Sequence, residues 1–145
     1  MVIAYHHTQR GVWIMAVLLA AAMLDAFVAW RSGQWSPLVA LVALIAAAVV
    51  FSSLTVEVGA TELRWYFGPG FWDYRLPFND IQNVAPVRNH WWNGFGIRMG
   101  PGFRLYNVSG FDAVELRLKS GEIRRIGTDD PQGLAEALKS AGRGG

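Results

Sequence analysis

Residues 12–54, VWIMAVLLAAAMLDAFVAWRSGQWSPLVALVALIAAAVVFSSL, decide the fold of this protein. The first part of this stretch, residues 12–30, has nineteen residues and one charged side chain, Asp25. An α-helix rises about 1.5 Å per residue, so a helix of this length comes close to the roughly 30 Å hydrocarbon core of a bilayer. We therefore predict a first transmembrane helix over residues 12–30.

A second apolar helix is predicted directly after the first. Residues 31–35 are mostly polar, and Ser36 followed by Pro37 is typical of a helix N-cap with proline in the first turn. Residues 38–50 are entirely apolar, so we predict a second span over residues 37–53. Since two such runs follow one another, and the first is longer than the apolar part of a signal peptide, we expect a retained transmembrane hairpin over residues 1–54.

Asp25 is an ionisable residue inside the first predicted span, where such a side chain is costly and often functional. It lies five residues before Trp30, near the predicted helix end. One interpretation is structural, with the carboxylate reaching headgroup water or Arg31. The other is a polar contact with another membrane subunit. Asp25 is therefore a candidate intramembrane polar contact.

The arginines around the hairpin indicate its orientation. Arg10 and Arg64 flank its outer ends, whereas Arg31 alone lies in the connection between the helices. Because basic residues favour the cytoplasmic side of a membrane, the N-terminus and the soluble domain are predicted to be cytoplasmic.

Residues 55–141 show the period-two alternation of β-strands. Leu116 and Leu118, for example, flank the polar Arg117. Asp130 and Pro131 then provide an N-cap and a first-turn proline for an amphipathic helix. The predicted strands cover residues 54–58, 63–67, 71–76, 81–85, 96–99, 103–107, 114–118 and 123–128, before a helix that reaches residue 141 and a flexible tail over residues 142–145.

Five short segments of the predicted β domain form a pattern in their order and spacing. They are Gly94-Phe-Gly-Ile-Arg98, Leu105-Tyr-Asn-Val-Ser-Gly110, Ala113-Val-Glu-Leu-Arg117, Ser120-Gly121 and Ile126-Gly-Thr-Asp-Asp-Pro131. In this pattern the sequence resembles the small bacterial membrane proteins that carry a bacterial PH domain. Strands closed by one C-terminal helix are also the layout of a pleckstrin-homology-like (PH-like) antiparallel β-barrel or sandwich. The resemblance covers roughly residues 56–138, and it implies a PH-like domain preceded by two transmembrane helices, in a multi-pass protein of the bacterial inner membrane, with no catalytic residues to transfer.

Composition argues against several classes of function. The net charge is only +2 and the basic residues are scattered, which is not typical of a nucleic-acid-binding surface. The chain has no cysteine and only three histidines, so we expect no disulfide and no metal site. The loop at residues 59–61 lacks any basic residue that would bind an inositol phosphate. We find no catalytic constellation, and we expect no enzyme activity, cofactor or small-molecule substrate.

The most unusual segment of the predicted β domain is Arg88-Asn-His-Trp-Trp-Asn93. Alternate side chains of an extended segment point in opposite directions, so Trp91 and Trp92 are not expected to enter the same core together. We expect one ring to be buried and the other exposed, with Arg88, His90 and Arg98 nearby as a polar rim. The alternative is that both rings cap the mouth of the barrel.

These patterns together predict a non-enzymatic, membrane-anchored PH-like interaction module. Its partners are the lipid bilayer and other membrane protein subunits, so the expected role is that of an accessory or assembly subunit of a larger inner-membrane complex. The alternative is a module that binds lipid headgroups at the membrane surface.

Overall fold

The computed structural model describes residues 3–93 and 96–142 of the 145-residue chain. These ranges contain two adjacent N-terminal helices, nine strands in two sheets, and a C-terminal helix. Short 3₁₀ turns lie at Phe78–Asp80 and Trp91–Asn93. The elements are β1 Tyr5–Arg10, α1 Val12–Ser32, α2 Ser36–Val50, β2 Ser53–Val58, β3 Glu62–Phe67, β4 Phe71–Pro77, β5 Ile81–Arg88, β6 Gly96–Gly100, β7 Phe103–Asn107, β8 Asp112–Leu118, β9 Ile123–Gly127 and α3 Pro131–Gly142.

The two N-terminal helices differ in length. Helix α1 has 21 residues, or about 32 Å, and is long and apolar enough to cross a bilayer. Helix α2 is also apolar but has 15 residues, or about 22 Å, because the chain turns into strand β2 at Ser53. Within the described ranges, α1 alone meets the requirements of a span. The predicted hairpin of two transmembrane helices, and with it the multi-pass arrangement, is therefore not supported.

Helices α1 and α2 pack against each other as an antiparallel pair. Gly33, in the left-handed conformation, ends α1 and donates its N–H to the carbonyl oxygen of Ala29 at 3.0 Å. Buried alanines, Ala22 and Ala29 of α1 and Ala48 of α2, lie where the helices meet. Most other side chains of the pair are apolar and exposed, which leaves their outer surface without a protein contact in the described chain.

The first sheet has the order β1-β2-β3-β4 and is antiparallel throughout. Strand β1 was not predicted from the sequence, because its inward side chains are polar rather than apolar. The Tyr5 hydroxyl donates to Asp130 at 2.9 Å, and Gln9 Nε2 donates to the carbonyl oxygen of Ser109 at 2.9 Å. Burial, together with the adjacent Asp130 carboxylate, raises the pKa of Tyr5, so its hydroxyl stays protonated and remains a donor.

Strand β1 also changes the predicted domain boundary. Its register places Tyr5 opposite Val58 and Arg10 opposite Ser53, so β1 and β2 are paired along their whole length. The helices α1 and α2 are therefore an insertion between two paired strands of the first sheet. The prediction assigned residues 1–54 to a separate hairpin domain, whereas in the structure the first sheet already begins with β1, before the helices.

The second sheet has the order β5-β8-β9-β7-β6. Its pairs are antiparallel except for β7 and β9, which run parallel with Phe103 opposite Ile123. The prediction of a purely antiparallel domain is wrong at this pair. All eight predicted strands are present with ends shifted by a few residues, and the predicted C-terminal helix is α3. Within residues 3–93 and 96–142 no strand pair joins the two sheets, and both contribute side chains to one core, so they form a sandwich.

Part of the sequence-based interpretation lies outside the described residues. Gly94 and Phe95, which begin the first segment of the PH resemblance, are among them. So are residues 143–145 of the predicted flexible tail, whereas Gly142 is the last residue of α3.

The hydrophobic core lies between the two sheets and α3. Side chains from β2, β3, β4, β7, β8, β9 and α3 contribute to it. Aromatic rings form its centre, where Trp65 stacks on Tyr74 at 5.5 Å and meets Tyr106 edge-on at 5.2 Å. Such tight aromatic packing makes the core the main source of stability. Its largest fully buried side chains include Trp65, Tyr106, Phe67, Leu116, Ile126 and Leu134.

Strand β4 begins with a β-bulge. Phe71 lies opposite Phe67 and Tyr74 opposite Trp65, so β4 has one extra residue between these pairs. Within this bulge Trp72 has φ 49°, which places a bulky side chain in the left-handed region. Glycine is the usual residue at such a position, and other residues there lose roughly 1–2 kcal/mol.

The register of β8 predicts that two neighbouring substitutions change the free energy of unfolding by very different amounts. Leu116 is fully buried, so we expect Leu116→Ala to lower the free energy of unfolding by about 2–5 kcal/mol. Arg117 is exposed on the other face, and Arg117→Ala is expected to change it by less than about 0.5 kcal/mol. Urea unfolding of the full chain in detergent measures both, with β1 retained. Equal losses would contradict the inward direction of Leu116.

Candidate interaction surface

The helices join the β domain at one end of its sheets, which we call the helix-proximal end. Arg10 at the end of β1 lies opposite Ser53 at the start of β2, so α1 begins where α2 has just finished. The N–H of Gly11 donates to the carbonyl oxygen of Ser52 at 2.8 Å. A β-carbon at Gly11 would overlap the carbonyl oxygen of Phe51, so this close crossing requires glycine.

Three connections between strands of the described chain also lie at the helix-proximal end. The first, residues 68–70, is joined to β2 where the Gly68 N–H donates to the Ser53 carbonyl oxygen at 2.9 Å. The second, residues 108–111, is joined to β1 by the hydrogen bond between Gln9 and Ser109. The third, residues 89–93, is joined to the second by a backbone hydrogen bond from Asn89 to Phe111. The candidate residues of this last connection therefore lie on the same end as the helices.

Trp91 and Trp92 are both exposed, with 76% and 63% of their surfaces accessible. The expectation that one ring is buried is wrong, and so is the alternative that both rings cap the barrel. The reason is local geometry, since Trp91–Asn93 is a 3₁₀ turn and the alternation of an extended strand does not apply. Both indoles project from the surface of the protein.

The exposed indoles are held by neighbouring rings. The imidazole of His90 stacks on Trp92 with 4.1 Å between ring centroids and 6° between their planes. Trp91 meets Trp92 edge-on at 6.0 Å. These contacts reduce the side-chain freedom that would be lost when a partner covers the rings. His90, Trp91 and Trp92 are together called the aromatic turn.

Asn89 fixes the base of the aromatic turn. It is buried, and its N–H donates to the carbonyl oxygen of Phe111 at 2.6 Å. Its side-chain oxygen accepts a hydrogen bond from Arg125 at 3.2 Å, and Arg125 is itself paired with Glu115 at 2.8 Å. Sequence reasoning missed this role, although asparagine before a turn is a common local signal.

Arg88 and Arg98 lie on opposite sides of the aromatic turn. The Arg88 guanidinium is 5.9 Å from the centre of the Phe111 ring, and together with Trp91 these residues line an open groove of 390 Å³. Arg98 lines a second groove of 220 Å³ with Trp92 and Met99. The five predicted residues are therefore brought together on one surface, with the indoles between two basic grooves.

Asp25 lies apart from this surface, within α1. Its side chain is half-buried on the face of α1 that also carries the buried Ala22 and Ala29, and that face packs against α2. Among the described residues Asp25 forms no ion pair with Arg31, so the structure does not support that contact, and the contact with headgroup water stays a prediction. Its Oδ2 is enclosed and has no hydrogen-bond partner in the described chain.

Other exposed apolar side chains were missed by sequence reasoning. Phe71 and Trp72 follow the connection at residues 68–70, and Met99 and Phe111 border the aromatic turn. Adjacent aromatics directly after a Gly-Pro-Gly turn were a signal for Phe71 and Trp72.

In residues 3–93 and 96–142 no group of three or more metal-ligating side chains comes together.

No protein-family model matches the chain, and no curated protein matches it in sequence. The class of the protein is therefore inferred from its own fold and surface.

The aromatic turn predicts a contrast between exposed and buried tryptophans. We expect Trp91→Ala and Trp92→Ala each to change the free energy of unfolding by less than about 1 kcal/mol, because both rings are exposed. Trp65→Ala removes a fully buried ring and should cost about 3–5 kcal/mol. Thermal unfolding of the full chain in detergent compares the three. A large loss from either exposed tryptophan would show that the aromatic turn belongs to the core.

Proposed function

We propose that this protein is a non-enzymatic, membrane-anchored interaction module that serves as an accessory or assembly subunit of a larger inner-membrane complex. The observation that carries the proposal is the insertion of α1 and α2 between the paired strands β1 and β2. Because both ends of the helix pair enter one sheet, the β domain is held directly against the membrane that contains the helices.

Both helices belong to the proposed anchor. The exposed side chains of α2, such as Val39, Val42 and Val49, are apolar and would be unfavourable in water. Helix α2 lies beside α1 and is too short for an average bilayer, but tilting or local thinning compensates for such a mismatch at modest cost. Cleavage after α1 would remove β1 and expose the edge of β2, which supports a retained anchor.

The charges at the two ends of the helix pair support a cytoplasmic β domain. Arg10 and Arg88 are exposed at the helix-proximal end, whereas Arg31 lies near the connection between the helices. Arg64, counted in the sequence-based argument, is instead held in β3 by Asp73 and Glu57. The remaining charge bias favours a cytoplasmic location for the helix-proximal end.

The aromatic turn is the proposed docking surface. Tryptophan and arginine are the residues most often found at the energetic centre of protein interfaces. Here two ordered indoles lie between Arg88 and Arg98, and the buried Asn89 supports them. Since this turn lies at the helix-proximal end, the partner is expected to be a membrane protein with surface near the bilayer. Asp25 is a second proposed contact, through the accessible part of its half-buried side chain, because its Oδ2 is enclosed.

A lipid-headgroup-binding module is the second candidate. It is favoured by the position of the aromatic turn beside the helix ends, where indoles and arginines contact headgroups. The PH-like assignment stays part of this proposal, since two sheets and a C-terminal helix agree with it, whereas the parallel pair of β7 and β9 departs from it.

Single cysteines test the proposed topology, because the chain has none of its own. Gln34→Cys lies in the connection between the helices and Ser120→Cys in the exposed turn between β8 and β9. In intact cells a membrane-impermeant maleimide should label Gln34→Cys, whereas Ser120→Cys should react only after permeabilisation. Labelling of Ser120→Cys in intact cells would exclude a cytoplasmic β domain.

A photo-crosslinking amino acid at position 91 tests the docking surface in native membranes. We expect a protein adduct from this position, because Trp91 is more exposed than Trp92. The same amino acid at Ser120, at the opposite end of the β domain, is the matched control and should give none. Lipid adducts alone from position 91 would favour the headgroup-binding candidate instead.

A further inference from the structure

The connection between β3 and β4 packs directly on the end of α2. A β-carbon at Gly68 would lie 2.8 Å from the carbonyl oxygen of Val49 and 2.9 Å from that of Val50, the last residues of the helix. Phe51, which follows the helix, places its ring 5.8 Å from that of Trp72. Residues 68–72, called the β3–β4 tip, therefore begin where α2 ends.

The β3–β4 tip carries a large apolar surface that nothing in the described chain covers. Phe71 is 46% exposed and Trp72 is 51% exposed. The tip sequence, Gly-Pro-Gly-Phe-Trp, has no charged side chain. The tip thus adds two exposed aromatic rings next to the end of α2.

The backbone of Trp72 makes this exposure unusual. A residue at φ 49° in a β-bulge is normally glycine, so the indole is kept at a strained position. Half of its surface is exposed, so core packing accounts for only part of the ring. Trp72 thus places an amphipathic ring beside the end of α2.

The charges next to the tip are neutralised. Asp73 accepts two hydrogen bonds from Arg64, at 2.8 and 3.0 Å, and lies 3.5 Å from Arg75. The Arg64 guanidinium holds the pKa of this carboxyl below its usual range. The carboxylate therefore stays ionised but paired, and it adds little repulsion towards anionic lipids.

We propose that the β3–β4 tip inserts Phe71 and Trp72 into the headgroup region of the same bilayer that contains α1. This inference rests on the proposed membrane anchor, and it adds a lipid contact made by the β domain itself. The bilayer is the expected occupant because the tip continues the end of α2, and indole rings prefer the headgroup region. With the two helix connections, the tip gives the β domain a third attachment that fixes its tilt on the membrane.

Spin-label accessibility tests the insertion in the full chain. Nitroxide labels are placed on single cysteines at Phe71, at Val17 on the exposed face of α1, and at Ser120 in the distal turn. The protein is reconstituted into vesicles of phosphatidylethanolamine and phosphatidylglycerol. Oxygen concentrates in the hydrocarbon core, whereas a water-soluble nickel chelate is excluded from it. The ratio of oxygen relaxation to nickel relaxation should therefore be highest for the Val17 label, lowest for the Ser120 label and intermediate for the Phe71 label.

The outcomes separate this inference from the proposed anchor. A lipid-exposed Val17 label with a water-exposed Phe71 label would overturn the insertion and leave the anchor intact. A water-exposed Val17 label would overturn both. Poor accessibility of the Phe71 label to both reagents would indicate a protein contact and also overturn the insertion. If the melting temperature shows that Phe71→Cys disturbs folding, the label is placed at Pro69→Cys instead. Pro69 is exposed in the same tip, so the same outcomes apply to this label.

Discussion

The pairing of β1 with β2 across the helix pair is the constraint on which the rest of this structure depends. The two strands are continuous in register from Tyr5 opposite Val58 to Arg10 opposite Ser53. The helices must therefore leave and return at neighbouring points, and the hydrogen bond from Gly11 to Ser52 closes the junction. A short and bonded junction of this kind transmits the position of the helices to the β domain, which a flexible linker would not do.

The same constraint explains how the exposed aromatics are distributed. Trp72 belongs to the first sheet and the aromatic turn to the second, yet both lie at the helix-proximal end. The ring of Phe51, which follows α2, lies close to Trp72 and also to Gly96, the first residue of β6 after the aromatic turn. The β3–β4 tip directly adjoins α2, whereas the aromatic turn is flanked by two basic grooves. The proposed division assigns lipid to the tip and a membrane protein to the turn. Both contacts then lie in one layer close to the bilayer surface.

Local patterns in the sequence determined most of the secondary structure. The apolar run gave α1, alternation gave eight of the nine described strands, and Asp130 with Pro131 gave the start of α3. These elements follow from interactions within a few residues, namely helix length, burial of one strand face and capping. The sequence also grouped Arg88, His90, Trp91, Trp92 and Arg98 as one candidate surface, because four of them are near neighbours in the chain.

Tertiary structure decided what depends on distant partners. Strand β1 has no apolar alternation, and it forms because β2 and the polar groups of Asp130 and Ser109 pair with it from far along the chain. The same pairing ends α2 early, by drawing Ser53 into a strand. Trp91 and Trp92 are both exposed because they lie in a 3₁₀ turn, which contacts among Asn89, Phe111 and Arg125 hold in place. The prediction that one ring is buried assumed an extended segment and was therefore wrong. Chain composition thus determined which segments are apolar or alternating, while long-range hydrogen bonds determined which of them meet and which rings remain exposed.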